Sequence, residues 1–357
     1  MFGSRESSPV ISFAALIIIF AGLIYSKSFI TPFLLALFIS IVCAQPVSWL
    51  VKKRMPRWLA LIIVILGIFV LFSGFAFLIG NSLSSFSGNL SKYESTLTTI
   101  SNEFIQFLNE KGFNIQQDKI SSLIQPAKIL ELTAGTLNKL FNMVGDTFLI
   151  FLTILFILTE FESFSLKAKA IVSKPDKFIS YYTVILQNVR SYLIIKSLLC
   201  LLVGILIYLA LMIIGVDYPL LWALIAGLMN FIPNIGSIIS MIPTVLFALG
   251  QLGSVGAFWT FSLSMLIHFI IGYLVEPRIM GKGLGLSALV VFLSLLFWGS
   301  ILGIGGMFLS VPITMTIKII LEQSENTRWV AILLGTPAEA KANLQNKELI
   351  EEQQYKK

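Results

Sequence analysis

The sequence is poor in the residue types that carry most metal and hydrolytic chemistry. It has one histidine and two cysteines, which excludes the usual zinc sites. Cys43 and Cys200 both lie in apolar runs, so a secreted disulfide framework is not expected. The glycine-rich segment 281–287 is not a phosphate loop, because it lacks both the Gly-Lys-Ser/Thr order and a preceding strand. We therefore expect no enzyme activity, no cofactor and no metal, and active transport would need an ion gradient or a partner.

Charged residues are also scarce, at 12% of the chain, about half of the roughly 25% found in soluble domains. Hydrophobic residues make up 57%. This composition predicts an all-α polytopic membrane protein. The net charge of +7 does not indicate nucleic-acid binding, because the basic residues are not gathered on one helix or face. Their placement instead indicates membrane topology.

We divide the chain into four regions: residues 1–80 with three spans, 81–143 outside the bilayer, a transmembrane core at 144–321, and a tail at 322–357. Five N-terminal spans are expected, at Val10–Tyr25, Phe29–Val51, Trp58–Ile79, Val144–Thr159 and Tyr192–Ile214. The first is expected to stay uncleaved, because no small-x-small site follows it.

Basic clusters set the expected orientation. Lys52, Lys53 and Arg54 follow the second span directly, which places that loop and the N-terminus in the cytoplasm. Residues 161–191 also carry a basic excess and an apolar helical face, which predicts a cytoplasmic amphipathic helix. The tail from residue 322 is then cytoplasmic as well. We expect a bacterial inner-membrane protein with both termini inside.

The region outside the bilayer is predicted to be helical. Apolar residues recur there at helical spacing, at Leu90, Tyr93, Leu97, Ile100, Phe104, Phe107 and Leu108. A second helix, Lys119–Leu140, is interrupted by Pro126. Two interpretations remain open: a gate or oligomer contact outside the bilayer, or a packed structural cap.

The segment 220–249 departs from an ordinary span. Two apolar arms of about 14 residues flank a polar kink at 230–236 that contains Pro233 and Gly236. Arms of this length are short for a hydrocarbon core about 30 Å thick, which favours a re-entrant or broken-helix hairpin. Backbone groups freed at the kink need protein or a water-filled cavity around them. The side chains that we predict to contact a solute are Asn230, Asn234 and Ser237.

A second hairpin is predicted at 286–321, entering from the opposite side. The residues that we predict to shape its break are Gly299, Gly303, Gly305, Gly306 and Pro312. The corresponding residues of the first hairpin are Pro233, Gly236 and Pro243. Inverted repeats with interrupted helices point to a transporter binding site, here formed by the hairpin breaks at the bilayer midplane. The alternative is that the glycines only allow close helix packing.

One span, Phe258–Val275, is expected between the hairpins, and its neighbourhood carries the coupling candidates. Thr260, Ser264, His268, Gly272 and Glu276 recur at four-residue intervals and form one polar ridge. His268 is either a proton relay or a neutral group bonded to a neighbouring helix. Glu276 is either a coupling residue or a partner of Arg278. Lys196 is expected to snorkel to the interface, with a coupling role as the alternative.

These stretches resemble the autoinducer-2 exporter family of bacterial membrane permeases, through NFIPNIGSIISMIP at 230–243, EPRIMGKGLGLSALV at 276–290 and WGSILGIGGMFLSVPI at 298–313. The resemblance covers most of the chain and implies a multi-pass inner-membrane protein. Some members export autoinducer-2, others are described as sodium or lithium/proton antiporters, and some are oligomeric. Asn234 stands where the family more often has an aromatic residue. The resemblance picks out Asn230, Pro233, Gly236, Pro243, Glu276, Pro277, Gly281, Gly285, Trp298, Gly299, Gly303, Gly306 and Pro312.

The sequence and the resemblance therefore predict a secondary transporter or exporter of a small polar solute, with autoinducer-2-like molecules among the candidate solutes. Transport is expected either to be driven by an ion gradient or to be facilitative. One alternative is a sodium (lithium)/proton antiporter. A second is an oligomeric channel or non-transporting membrane scaffold. The expected partners are the lipid bilayer, a small-molecule or ion substrate and further copies of the chain in a homo-oligomer, with no nucleic acid.

Overall fold

The computed structural model describes residues 9–88, 147–171, 175–280 and 285–341, and single helical residues at 95, 98–99, 102–103, 106, 109–110, 135 and 344–345. Throughout these residues the regular structure is helical. The all-helical prediction is therefore confirmed for the described part of the chain. The helices predicted at 90–108 and 119–140 lie almost wholly outside the described residues.

Eleven α-helices and one π-helical turn are described. They are α1 Pro9–Tyr25, α2 Lys27–Lys52, α3 Arg57–Gly88, α4 Thr147–Ile171, α5 Pro175–Ile214, α6 Pro219–Met229, α7 Ile235–Phe269, the π-helical turn Ile270–Val275, α8 Glu276–Met280, α9 Ala288–Leu302, α10 Ile304–Glu322 and α11 Arg328–Leu334. Five helical segments are long and apolar enough to cross a membrane: Lys27–Lys52, Arg57–Ser82, Thr183–Ile214, Ile235–Met280 and Ile304–Glu322.

Helix boundaries differ from the predicted ones where the sequence has no helix breaker. The predicted amphipathic helix at 161–191 is divided between the end of α4 and the start of α5. Neither glycine nor proline separates residue 191 from the predicted fifth span. α5 therefore continues through that span and has 40 residues in all. The second arm of the later hairpin, predicted at 307–321, is the 19-residue α10 and is long enough to span alone.

The chain forms two compact units. The first contains residues 1–57, 149–193 and 282–357. In it α9 packs along α10, and α1 and α2 pack against this pair. The break between α9 and α10 is the single residue Gly303, at φ 70°. Gly306 lies against the Trp298 carbonyl and Gly305 against Thr31, so neither position has room for a side chain. These glycines bring helices close together, which is the packing role that the sequence offered as the alternative to a binding site.

The second unit contains residues 58–148 and 194–281. Its hairpin consists of α6 and the first part of α7, which pack against each other. α7 is interrupted at Gly253, at φ 73° and ψ −166°, between the predicted hairpin at 220–249 and the predicted span Phe258–Val275. Two residues earlier, Gln251 links α7 to the segment that follows α5. Its Nε2 donates to the Gly215 carbonyl at 3.1 Å, and its Oε1 accepts from the Asp217 amide at 2.7 Å.

Candidate functional site

The helix break of the first hairpin lies where the sequence predicts a kink. α6 ends at Met229 and α7 begins at Ile235. Pro233 has no N–H to continue the helix, and Asn234 adopts φ 60°, a backbone conformation that asparagine tolerates better than most residues. Gly236 approaches the Met229 carbonyl so closely that a side chain there would collide with it. Proline, asparagine and glycine thus each have a distinct role in forming the turn.

The three predicted solute contacts have different surroundings. Asn230 is half-buried and donates through Nδ2 to Cys200 Sγ at 3.6 Å, so it faces α5. Asn234 is exposed. Ser237 donates through Oγ to the Asn234 carbonyl at 3.1 Å. The break therefore presents one polar side chain toward α5 and two beside each other at the start of α7.

Small residues hold α5 close to α6. A Cβ atom on Gly227 would lie 2.9 Å from the Cys200 carbonyl oxygen, and one on Gly204 would lie 3.3 Å from the Ala223 carbonyl oxygen. The pattern Ala223-x-x-x-Gly227 thus lets α6 pack closely against α5, and we call this contact the α5–α6 seam. Because Cys200 contacts both Gly227 and Asn230, the seam fixes the hairpin break relative to α5.

A buried ion pair lies one turn from this contact. Lys196 Nζ donates to Glu276 Oε1 at 2.6 Å, with the lysine side chain 2% exposed and the glutamate side chain 21% exposed. The expectation that Lys196 snorkels to an interface is wrong, because its ammonium is paired inside the unit. Lys196 rather than Arg278 is the partner of Glu276. Burying either charge alone would cost roughly several kcal/mol, and pairing the two offsets part of that cost.

Glu276 follows a π-helical turn that the sequence pattern did not predict. The Glu276 amide donates to the Ile271 carbonyl, five residues back. The next residue, Pro277, has no N–H, and in a regular α-helix its ring would crowd the carbonyl four residues before it. The wider turn relieves this crowding. It also adds a residue to the turn and so rotates Glu276 away from the position that a continuous α-helix would give it.

The polar ridge before this turn faces the protein interior. Thr260 is fully buried and Ser264 is 3% exposed. Among the described residues, neither Thr260 Oγ1 nor His268 Nδ1 has a hydrogen-bond partner. A buried polar atom without a partner is uncommon, and it marks a place where a solute, a proton or water can bind. His268 therefore remains a coupling candidate, although it lies two helical turns from Glu276.

In the first unit, the second hairpin is held by different groups. Trp298 donates through Nε1 to Thr314 Oγ1 at 3.0 Å, which links α9 to α10 across the break. The side chain of Met307 covers Gly299. Pro312 is buried within α10. The predicted shaping residues at this break thus contribute to packing between the two helices.

Beyond the hairpin, a buried lysine fastens the C-terminal segment. Lys318 Nζ donates to the Gly285 carbonyl at 2.6 Å and to Glu339 Oε2 at 2.7 Å, and lies 3.2 Å from Glu322 Oε1. Glu339 is oriented by Thr336, since each accepts from the other's backbone amide in a capping box. Gly285, at φ 59°, leaves no room for a Cβ beside Lys318. We call this group the C-terminal clasp, and nothing in the sequence pattern predicted it.

The first unit also contains an apolar cavity of about 400 Å³ between α2, α4, α5 and α10. Phe38, Ile157 and Val189 line it, and Glu160 and Thr316 contribute polar groups. None of the predicted solute contacts lies in its wall. The cavity and the polar hairpin break are therefore separate features of the molecule.

Five span-length apolar helices among the described residues define a polytopic membrane protein. The sequence model of the AI-2E family transporter family matches residues 13–326. The chain belongs to this family.

Individual relatives agree with the family assignment. A protein of Haemophilus influenzae, provisionally named a transport protein, is 35% identical over 333 residues, which cover 91% of this chain and 95% of the relative. The AI-2 transport protein TqsA of Escherichia coli is 34% identical over 326 residues, with 91% and 95% covered. YhhT of Escherichia coli, also provisionally named a transport protein, is 32% identical over 335 residues, with 94% and 96% covered.

Proposed function

We propose that this protein is a secondary transporter that exports a small polar solute across the bacterial inner membrane, with autoinducer-2 as the first candidate. The solute binds at the hairpin break of the second unit, where Asn230, Asn234 and Ser237 contact it. Export is facilitative or driven by an ion gradient, and both termini lie in the cytoplasm. Assembly into a homo-oligomer stays a prediction of the family resemblance.

The observation that carries the proposal is the broken helix itself. α6 has 11 residues and is thus about 16 Å long, too short for a hydrocarbon core of about 30 Å. If α6 enters the membrane, the break at 230–234 lies within it. The end of α6 and the start of α7 then direct the partial charges of their helix termini toward a solute. Asn230 adds an amide, half-buried in the same place.

The solute class is supported by one relative and by the chemistry of the break. TqsA is named as a transport protein for autoinducer-2. Amide, hydroxyl and backbone groups at the break suit a solute with several hydrogen-bonding oxygens. The names of the three relatives mention transport, and none mentions cation/proton exchange. We therefore favour solute export over the antiporter alternative.

The test is flux of autoinducer-2 in proteoliposomes that contain the purified full chain. The test variant combines Asn230→Ala with Asn234→Gly, because glycine tolerates the positive φ at residue 234 and only the side chain is lost. The matched control is Asn81→Ala, an exposed asparagine on α3. We expect the double variant to lose at least tenfold in flux and the control to keep the wild-type rate.

Three results would redirect the interpretation. Cation-dependent proton flux without any organic solute would indicate the antiporter. A double variant that retains its cellular role while wild-type vesicles carry no solute flux would indicate a channel or scaffold. Equal flux in the double variant and the wild type would remove the hairpin break from the solute pathway.

A further inference from the structure

We propose that Lys196 is a specificity-determining residue of the transport site, which exchanges Glu276 for an acceptor oxygen of the solute. The inference rests on the proposed function, since it concerns the same hairpin break. In the structure Lys196 pairs with Glu276. When a solute enters, the carboxylate withdraws and a solute oxygen takes its place at the Lys196 ammonium.

The position of Lys196 on α5 carries the first step. Lys196, Cys200 and Gly204 are four residues apart and so share one face of the helix. Cys200 accepts from Asn230 at the break, and Gly204 packs beside the Ala223 carbonyl. Lys196 is thus placed one helical turn, about 5.4 Å along the axis, from Cys200, and Cys200 contacts the Asn230 amide that we propose as a solute contact.

The hydrogen-bonding capacity of the pair carries the second step. An ammonium group has three donors, and among the described residues the structure pairs the Lys196 ammonium with one acceptor, Glu276 Oε1. The remaining donors lie in a buried position. They can serve an oxygen-rich solute directly, as a hydroxyl or carbonyl oxygen accepts from them. A cationic solute would be repelled, so the site selects neutral or anionic molecules.

Unequal burial of the two partners gives the direction of the exchange. Lys196 is 2% exposed, whereas Glu276 is 21% exposed and follows the π-helical turn. Glu276 can therefore move toward the surface of the protein, but the lysine ammonium cannot. Because a buried unpaired ammonium is strongly unfavourable, the pair opens only when a replacement acceptor arrives. This requirement links opening of the ion pair to solute binding and suppresses leakage through the site when no solute is bound.

The test compares two single variants that the exchange affects in opposite directions. Lys196→Met removes the donor and should raise the KM for autoinducer-2 at least tenfold. Glu276→Gln weakens the competitor of the solute and should lower the KM about threefold or more. In the double variant the KM should stay high, as in Lys196→Met, because no donor remains. Lys196→Arg keeps the charge and should restore most of the affinity.

Lys318→Met is the matched control, since Lys318 is another buried lysine with a glutamate partner but lies in the clasp. Its KM should equal that of the wild type. The double variant also controls for folding, because it leaves no unpaired charge. Binding of autoinducer-2, measured by thermal shift on the same proteins, provides a second measure of affinity that does not require flux.

The outcomes separate the two proposals. Opposite KM shifts in the two single variants support the exchange. If the wild type transports autoinducer-2 and both variants shift the KM in the same direction, or neither shifts it, the pair is merely structural and the exchange is overturned while the proposed function stands. If the wild type neither binds nor transports autoinducer-2, both proposals fail for this solute.

Discussion

Substitution of Gly227 by alanine should destabilise the protein, because the α5–α6 seam has no space for a methyl group. The added Cβ would lie 2.9 Å from the Cys200 carbonyl oxygen, whereas ordinary contacts begin at 3.4 Å. The two helices must therefore separate locally by 3.4 − 2.9 = 0.5 Å. A gap of about 0.5 Å already loses roughly a quarter of the dispersion energy of each contact along the seam.

The expected size of the effect follows from two opposing terms. Overpacking costs about 1–3 kcal/mol, and alanine in place of glycine in a helix recovers about 0.5–1 kcal/mol. The net loss in the free energy of unfolding should be about 1 kcal/mol, within a range of about 0–2.5 kcal/mol. Gly204→Ala should cost less, because its Cβ would lie 3.3 Å from the nearest atom. Separation of the helices should also weaken the Asn230–Cys200 contact and lower transport.

The assay is thermal unfolding of the purified protein in detergent, followed by circular dichroism. Gly67→Ala is the control, because Gly67 lies in α3 of the same unit with no atom within 4 Å of its added Cβ. This control should match or exceed the wild-type midpoint. The seam argument would be refuted if Gly227→Ala unfolded at the same temperature as Gly67→Ala.

Two further predictions concern the clasp and the polar ridge. Glu339→Gln should lower the free energy of unfolding by about 1–3 kcal/mol, because it removes a charged hydrogen bond to buried Lys318. Thermal unfolding would measure this loss and limited proteolysis any release of the C-terminal segment, with Glu325→Gln, an exposed glutamate, expected to behave as wild type. If His268 relays a proton, His268→Ala should flatten the pH dependence of flux, while Thr260→Val leaves it intact. An unchanged pH profile in the histidine variant would remove His268 from the coupling candidates.

Local sequence signals pointed to two of the helix breaks. Pro233 lies between α6 and α7, and Gly303 separates α9 from α10. The break at Gly253 within α7 was not predicted. These signals work because backbone conformation depends mainly on the residue itself and its immediate neighbours. Gly305 and Gly306, predicted to join the arms, instead lie inside α10 and serve packing.

The ion pairs could not be predicted by the same means. Lys196 and Glu276 are 80 residues apart in sequence, and no spacing rule links them. The four-residue spacing of the polar ridge predicts the helix face of Glu276 only for a regular α-helix. The π-helical turn before Pro277 moves Glu276 to a different face. One available signal was the occurrence of two opposite charges in otherwise apolar stretches, since isolated charges in such stretches require partners.

The clasp has a consequence for the order in which the protein is made. Lys318 belongs to α10, but Glu339 is synthesised 21 residues later. While α10 enters the membrane, the lysine can use the Gly285 carbonyl and Glu322, but its third partner is still to be translated. A chain that ended before residue 339 would retain a buried ammonium with incomplete pairing. Translation of the last part of the chain therefore completes the clasp around Lys318.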